Sequence, residues 1–323
     1  MKTIATILML LSVAASATAQ RQMSFGKDGL FRIVQFTDTH LNQAKDSTDC
    51  VFRLISEVTA AERPELIVFT GDVVTERAPA EKWRKFVAHM DSIGLPWTVV
   101  FGNHDDEQGM TNAEIFELIR VSPTLVMEPG PEDVAGTGNF VIELLAHDSD
   151  RPANILYFLD SHSKADSQLR GIGGYGWIER SQIDWYRETA ARYGGTPALA
   201  FFHIPLPEYG EALNGKEVKM TGSRNESVCS PRLNTGMFAA MKQCGDVQGI
   251  FVGHDHDNDY IANHHGIALA YGRFSGNSIT TYGRLEPGAR VIIVGAGEKS
   301  FETYIRLRGG EKINHCVFPE SLK

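Results

Sequence analysis

Cysteine is scarce in this chain of 323 residues: Cys50, Cys229, Cys244 and Cys316 are the four, and no two stand in a C-x-x-C pair. That spacing excludes a zinc–thiolate knuckle and a dithiol redox motif. The four are expected as one or two structural disulfides or as buried thiols, with three full pairings open. An excess of positive charge is also lacking. Lys and Arg number 31 against 40 Asp and Glu, a net charge of −9. No nucleic-acid-binding surface is therefore expected, although a local positive site built on metal ions fits that balance. There is no internal repeat and no low-complexity linker. Beyond the first twenty residues no apolar run approaches the ~20 residues needed to span a bilayer, so no membrane span is expected. Neither a G-x-S-x-G elbow nor a G-K-[S/T] phosphate loop occurs, which removes the anchors of a serine hydrolase and of a P-loop NTPase.

What is present is an ordinary globular composition, 42% hydrophobic and 22% charged, in a chain long enough to bury a large core. Residues 1–20 read MKTIATILMLLSVAASATAQ. A basic Lys2, an apolar run from Ile4 to Val13 and the small residues Ala17-Thr18-Ala19 make a secretory signal pattern. Export to the periplasm or the exterior is expected, with cleavage after Ala19, so residues 1–19 are a signal peptide and 20–323 a single domain.

Apolar runs alternate with helical patterns after that. Phe31–Thr37, Leu66–Thr70 and Trp97–Phe101 read as strands, and Cys50–Ala61 and Ala80–Ile93 as helices at 3.6-residue spacing. Thr111–Arg120 and Trp177–Tyr193 read as further helices. Phe140–Leu145, Ile155–Leu159, Ala198–Phe202 and Gly249–Val252 read as strands, and the tail from Ile267 carries several more. The β-α-β-α-β front half predicts a largely parallel sheet covered by helices. The strand-rich back half predicts a second sheet packed on it.

The chemistry sits at the ends of these strands. Asp38-Thr39-His40, Gly71-Asp72, Gly102-Asn103-His104-Asp105, His203 and Gly253-His254-Asp255-His256 each follow an apolar run. Ligands in open α/β sheets bind beyond the carboxyl ends of strands. Carboxylate, amide and imidazole donors gathered there suit Zn, Mn or Fe. Any one motif alone is weak, since Gly-Asp is a common turn and a single His after a strand is most often structural. Five in a row at strand ends are not a coincidence.

In that order the motifs D-x-H, G-D, G-N-H-D, H and G-H-x-H resemble the calcineurin-like metallophosphoesterase family, from about Phe31 to Tyr271. FFHIPLPEY (Phe201 to Tyr209) and GYGWIERSQIDW (Gly174 to Trp185) place the resemblance near the purple acid phosphatases. One position departs: Thr75 stands where the purple enzymes carry a tyrosine ligand, so a site without tyrosinate is expected. The resemblance implies a four-layer α/β/β/α sandwich of two mixed sheets flanked by helices. It implies two metal ions (Fe, Mn or Zn). Asp38, His40, Asp72 and His256 would hold the first, and Asp72, Asn103, His203 and His254 the second. His104 would face the leaving-group or a phosphoryl oxygen as the catalytic acid. Asp105 and Asp106 follow it, and one of them, with Asp105 counted among the catalytic residues, is expected to orient its imidazole as an acceptor; the alternative is that both are solvated loop carboxylates.

Two metals can clamp an in-line displacement and activate a water, and their charge outweighs the two carboxylates, which favours an anionic substrate. The expected activity is hydrolysis of a small-molecule or protein phosphate monoester. A phosphodiesterase with the same site and a non-catalytic phosphate-binding protein on this fold are the alternatives. A mononuclear hydrolase fits less well, because Asp72 with Asn103 suits two metals. Asp160, Ser161 and His162 also follow a strand and are candidates near the crevice. Tyr175, Tyr209 and Arg273 are candidates for the pocket wall, with plain burial or exposure the simpler reading. His264-His265 reads as a turn. Gly171–Gly176 matches G-x-G-x-x-G but lacks a strand directly before it, so a dinucleotide site is rejected.

Overall fold

The computed structural model describes residues 21–42, 45–165, 171–214, 219–277 and 284–323. The expected signal segment 1–19 lies outside them. In chain order the strands and helices of the first half are β1 (Arg21–Ser24), β2 (Leu30–Phe36), α1 (Lys45–Glu62), β3 (Leu66–Thr70), α2 (Ala80–Ile93), β4 (Trp97–Val100), α3 (Asn112–Ile119), β5 (Phe140–Leu145) and β6 (Pro152–Phe158). The second half holds α4 (Arg180–Tyr193), β7 (Ala198–Phe201), α5 (Glu208–Glu211), β8 (Met220–Thr221), α6 (Met237–Cys244), β9 (Val247–Val252), β10 (Ile261–His264), β11 (Ile267–Tyr271), β12 (Gly288–Gly295), β13 (Phe301–Leu307) and β14 (Lys312–Phe318).

Local chemistry sets the helix ends. Trp83, Phe86, Val87 and Met90 form the buried stripe of α2, and Gly94 stops it in the left-handed region at φ 73°, where glycine carries no Cβ penalty. Thr111 caps α3 in a reciprocal box with Glu114, which ties up free N–H groups of the first turn. Helix α4 starts at Arg180 rather than at Trp177, because the Glu179 N–H already donates to the Gln182 side chain at 2.7 Å. Trp177 and Ile178 are buried in the segment leading in.

Two sheets result. One has six strands in the order β14-β13-β12-β2-β3-β4, the other eight in the order β1-β5-β6-β7-β9-β11-β10-β8. The pairs β2–β3 and β3–β4 are parallel, as the front half predicts. The back half behaves differently from expectation. Its last three strands do not build the second sheet; β12 pairs antiparallel with β2 and extends the first, while β1 and the strands from β5 to β11 make the second. The fold is a four-layer α/β/β/α sandwich of two sheets flanked by helices, as expected.

The central strands of the eight-stranded sheet are buried on both faces, and their side chains alternate between two cores. Ile142, Leu156, Phe158, Leu199, Phe201 and Phe251 point to the core shared with the six-stranded sheet and with α1, α2 and α3. Val141, Ile155, Tyr157, Ala198, Ala200, Ile250 and Val252 point to the core covered by α4 and α6. This is the period-two pattern of a strand. A file of phenylalanines crosses the inner core from Phe140 through Phe158, Phe201, Phe251 and Phe301 to Phe318, with successive ring centroids 4.7 to 5.6 Å apart. The last two belong to the other sheet, so the file joins the two layers. All four cysteines are free thiols, so of the two expectations for them the disulfide bridges are not formed.

Candidate metal centre

Five loops leave the C-terminal ends of β2, β3, β4, β7 and β9 and meet at one end of the sandwich. They come from both sheets, three from the six-stranded and two from the eight-stranded one. Backbone pairing continues past the strand ends and sets the spacing. The N–H groups of Asp38, His40 and Leu41 donate to the carbonyls of Gly71, Asp72 and Val73 at 2.9–3.0 Å, and Gly253 N–H donates to the His203 carbonyl at 3.0 Å. Asp38, His40, Asp72 and His254 all have positive φ, between 44° and 77°. Non-glycine residues rarely sit there, at a cost of about 1–3 kcal/mol each, and such strain concentrates at functional sites. Two glycines are needed for close approach: a Cβ on Gly102 would overlap the Asp72 carboxylate, and one on Gly253 would overlap the Thr37 hydroxyl.

Two groups of donors result. Asp38, His40 and His256 form one, Asp72, His203 and His254 the other, with the ligand atoms of each group within 4.8 Å of one another. Asp72 Oδ2 lies 3.3 Å from His203 Nε2 and 3.9 Å from His40 Nε2, which puts it between the groups. Asn103 joins the second, with its Oδ1 3.2 Å from His203 Nε2. All seven side chains of the expected set are thus brought together. Asp38, Asp72 and His203 are essentially inaccessible, and His40 and Asn103 are also buried.

The donor set fits cations. His203 Nδ1 sits 2.7 Å from the Thr70 carbonyl, so Nδ1 carries the proton and Nε2 presents a lone pair to the site. Around that lone pair stand Asn103 Oδ1, Asp72 Oδ2 and His254 Nδ1, all at 3.2–3.3 Å. In the other group His40 Nε2 and His256 Nε2 face each other at 3.0 Å. Acceptors that converge so closely need a positive charge among them. Without a cation the Asp72 carboxylate draws a proton onto His203 instead, while burial keeps His40 and His254 neutral. Burial lowers His203, but the Asp72 carboxylate outweighs it and lifts the ring to about 10. Burial holds His40 down at about 4 and His254 at about 3. Burial raises the two carboxylates, yet His256 next to Asp38 and His203 next to Asp72 hold both below the usual range.

His104 stands at the open edge. Its backbone N–H donates to Asp72 Oδ1 at 2.8 Å, and its ring centroid lies 5.8 Å from that of His40. The expected partnership with Asp105 is not made. Asp105 is fully buried, and its carboxylate accepts from the N–H groups of Val73 at 2.8 Å, Val74 at 3.1 Å and Gly102 at 2.8 Å. It staples the β3 and β4 loops together and points away from the imidazole, so it is no part of the catalytic pair. Asp106 accepts from Ser163 at 2.7 Å. The acceptor on His104 Nδ1 is Glu107, at 2.5 Å, which sequence reasoning missed. Its signal was a third acidic residue in the same short loop.

The remaining candidates separate cleanly. Tyr175 packs edge-on against His254 with centroids 4.3 Å apart and lines the site. Asp160 accepts from the Thr137 and His162 N–H groups, Ser161 accepts from Ile204 N–H, and His162 meets Gln182; these three tie loops together. Tyr209 is buried with its hydroxyl donating to the Ile250 carbonyl, and Arg273 is buried against Asp259. His264-His265 lies at the turn from β10 to β11. No helix among the described residues is long and apolar enough to cross a membrane.

A two-sheet sandwich with two adjoining carboxylate–imidazole groups at its strand ends defines a metal-dependent phosphoesterase scaffold. The family model described as calcineurin-like phosphoesterase matches residues 31–258, and the chain belongs to that family. It is 33% identical, over 88% of its length and 79% of the relative's, to a protein of Arabidopsis thaliana named probable inactive purple acid phosphatase 14. It is 30% identical to the phosphatase DCR2 of Saccharomyces cerevisiae, over 91% of this chain and 57% of that one. Among solved structures it is similar to a dimetal phosphatase from Danio rerio, with a TM-score of 0.60 at 13% identity, over 89% of this chain and 98% of that one. At that identity the likeness shows the fold.

Proposed function

We propose that the chain is an exported phosphomonoesterase with a dinuclear metal centre. The observation that carries the reading is the convergence of Asp38, His40, Asp72, Asn103, His203, His254 and His256, with lone pairs facing one another and Asp72 between the two groups. Asp38, His40, Asp72 and His256 would hold one ion, and Asp72, Asn103, His203 and His254 the other. Iron, manganese and zinc all suit these donors. Bound there, the two ions supply Lewis-acid polarisation of a phosphoryl oxygen and a water activated for attack.

The protein's own residues do the rest. Thr70 holds the His203 tautomer through its carbonyl. Tyr175 walls the side of His254. His104, half exposed at the edge, donates Nδ1–H to Glu107, so Nε2 is the ring nitrogen that faces the departing ester oxygen and, in the doubly protonated ring, gives it a proton. The monoester preference is supported by the names of the more similar relatives, which are phosphatases. Relatives named as glycerophosphodiester phosphodiesterases are only 22–23% identical. The word inactive in the plant relatives' names favours a second reading, a phosphate-binding protein without turnover.

One experiment separates the readings. The protein is stripped of metal, reloaded with Mn, Zn or Fe, and assayed for metal content and for turnover of p-nitrophenyl phosphate and bis-p-nitrophenyl phosphate. Two ions per chain with faster monoester turnover is the expected result. Two ions with no turnover of either ester leaves the binding reading, and faster diester turnover makes the protein a diesterase. His104→Ala is expected to keep both ions and to lose ~10²–10⁴ in kcat. Export is tested by N-terminal sequencing of the protein from its host, with Gln20 the expected first residue and a start at Met1 refuting it.

A further inference from the structure

We propose that Glu107 is the positioning residue that sets the His104 imidazole against the bound ester, and that Lys164 fixes Glu107 in turn. The assignment deepens the hydrolase reading above and rests on it. Both carboxylate oxygens of Glu107 are engaged, Oε2 with His104 Nδ1 at 2.5 Å and Oε1 with Lys164 Nζ at 2.9 Å. The carboxylate cannot turn without breaking one of the two bonds. The His104 side chain is 45% exposed, so packing alone does not choose its rotamer. Its backbone is pinned to Asp72, and Glu107 is the second anchor, acting on the ring itself. Asp105 and Asp106 are committed elsewhere, to backbone N–H groups and to Ser163. Of the three acidic residues after His104, Glu107 therefore does this alone.

The consequence is regiochemical. With Nδ1 held by the carboxylate, Nε2 is the ring nitrogen left to meet the ester oxygen, the arrangement by which a carboxylate orients a catalytic histidine elsewhere. Lys164 has a second effect. It sits on a different loop, next to the Ser163–Asp106 bond, and its ammonium offsets the Glu107 charge, which would otherwise repel an anionic ester at the mouth of the site.

The test uses the Zn-loaded protein with two readouts. In the 15N-labelled protein a downfield Nδ1 proton resonance, assigned by its loss in His104→Gln, is expected to vanish in Glu107→Ala and to broaden and move upfield in Lys164→Met, and an unchanged resonance in Lys164→Met would remove Lys164 from the assignment. In kinetics Glu107→Ala is expected to lower kcat ~10–100-fold on phenyl phosphate, whose leaving group needs a proton. It should leave 2,4-dinitrophenyl phosphate nearly unaffected, with KM and two ions per chain retained. Glu107→Gln, which still accepts through its amide oxygen, should recover part of the loss. Persistence of the resonance in Glu107→Ala, equal losses on both esters, or loss of metal each overturns the assignment. If the wild type turns over neither ester, the hydrolase reading itself fails and the assignment falls with it. If the wild type turns over both and the ratio between them does not change in Glu107→Ala, the assignment alone fails.

Discussion

Replacing Asp105 by Ala tests whether this residue holds the site together or takes part in the reaction. The substitution strips the acceptor from three buried N–H groups, on Val73, Val74 and Gly102. A hydrogen bond to a charged group contributes about 1.5–3 kcal/mol, and a buried donor left without a partner costs about 1–3 kcal/mol. Three such bonds set a ceiling near ~9 kcal/mol. Two effects reduce it: burial pushes the Asp105 carboxyl up, helped by the neighbouring Asp72, so keeping it ionised is itself costly, and water can enter the space the carboxylate leaves. A net loss of about 3–5 kcal/mol is expected. The measurement is guanidinium unfolding of the metal-free protein, so that metal binding does not mask the change, with metal content read separately on reloading. Because the lost bonds join the loop carrying Asp72 to the loop carrying Asn103, metal occupancy should fall as well, although Asp105 touches no ion. Asp105→Asn keeps one acceptor oxygen but turns an amide N–H2 toward the remaining donors, and should lie between Ala and wild type. An unfolding midpoint equal to wild type, with two ions retained and only kcat reduced, would refute this and return Asp105 to a catalytic role.

Three other outcomes are expected. Asp72→Asn should bind neither ion and lose nearly all turnover, since its carboxylate lies between the two groups; two ions per chain by elemental analysis would contradict the shared role. Phe251→Ala should destabilise the fold by about 3–5 kcal/mol in chemical denaturation, because the ring is fully buried between Phe201 and Phe301; a loss under ~1 kcal/mol would mean the file of rings does not join the sheets. Burial raises Glu62, but the Tyr304 hydroxyl and Lys312 outweigh it and leave the carboxyl below its ordinary value. A depressed carboxylate stabilises above its unfolded value, and that contribution is lost as pH falls through the folded one. Glu62→Gln should therefore unfold more easily than wild type near pH 7, with the gap closing in acid; a gap independent of pH would rule this out.

Much of the centre was legible because its motifs directly follow apolar strands, and a strand end fixes where the next residue lies. Asp38, Asp72, Asn103, His203 and His254 could be placed at one end of a sheet from that alone. What failed were inferences from adjacency. Asp105 is the immediate neighbour of His104, yet the chain turns so tightly after Gly102 that its carboxylate folds back on the β3 loop, while Glu107, three residues on, reaches the ring. The C-terminal strands could not be assigned to a sheet either, since pairing Gly288–Gly295 with Leu30–Phe36 is a long-range choice with no local mark. Strand β14 was illegible for a different reason. It lies at the sheet edge, with exposed Lys312 and His315 in its first part and buried Cys316 and Phe318 only near its end, so it carries no period-two apolar signal.

The placement of β2 between β3 and β12 bears on how the protein is made. Asp38 and His40 leave the ribosome long before the neighbour on one flank of their strand, in which Arg290 stands opposite Gln35. Until it emerges, β2 has a bare edge of backbone N–H and C=O groups. Full ordering of the donors must then await that strand, and a polypeptide released before Gly288 would carry all seven of them with β2 paired along one edge only.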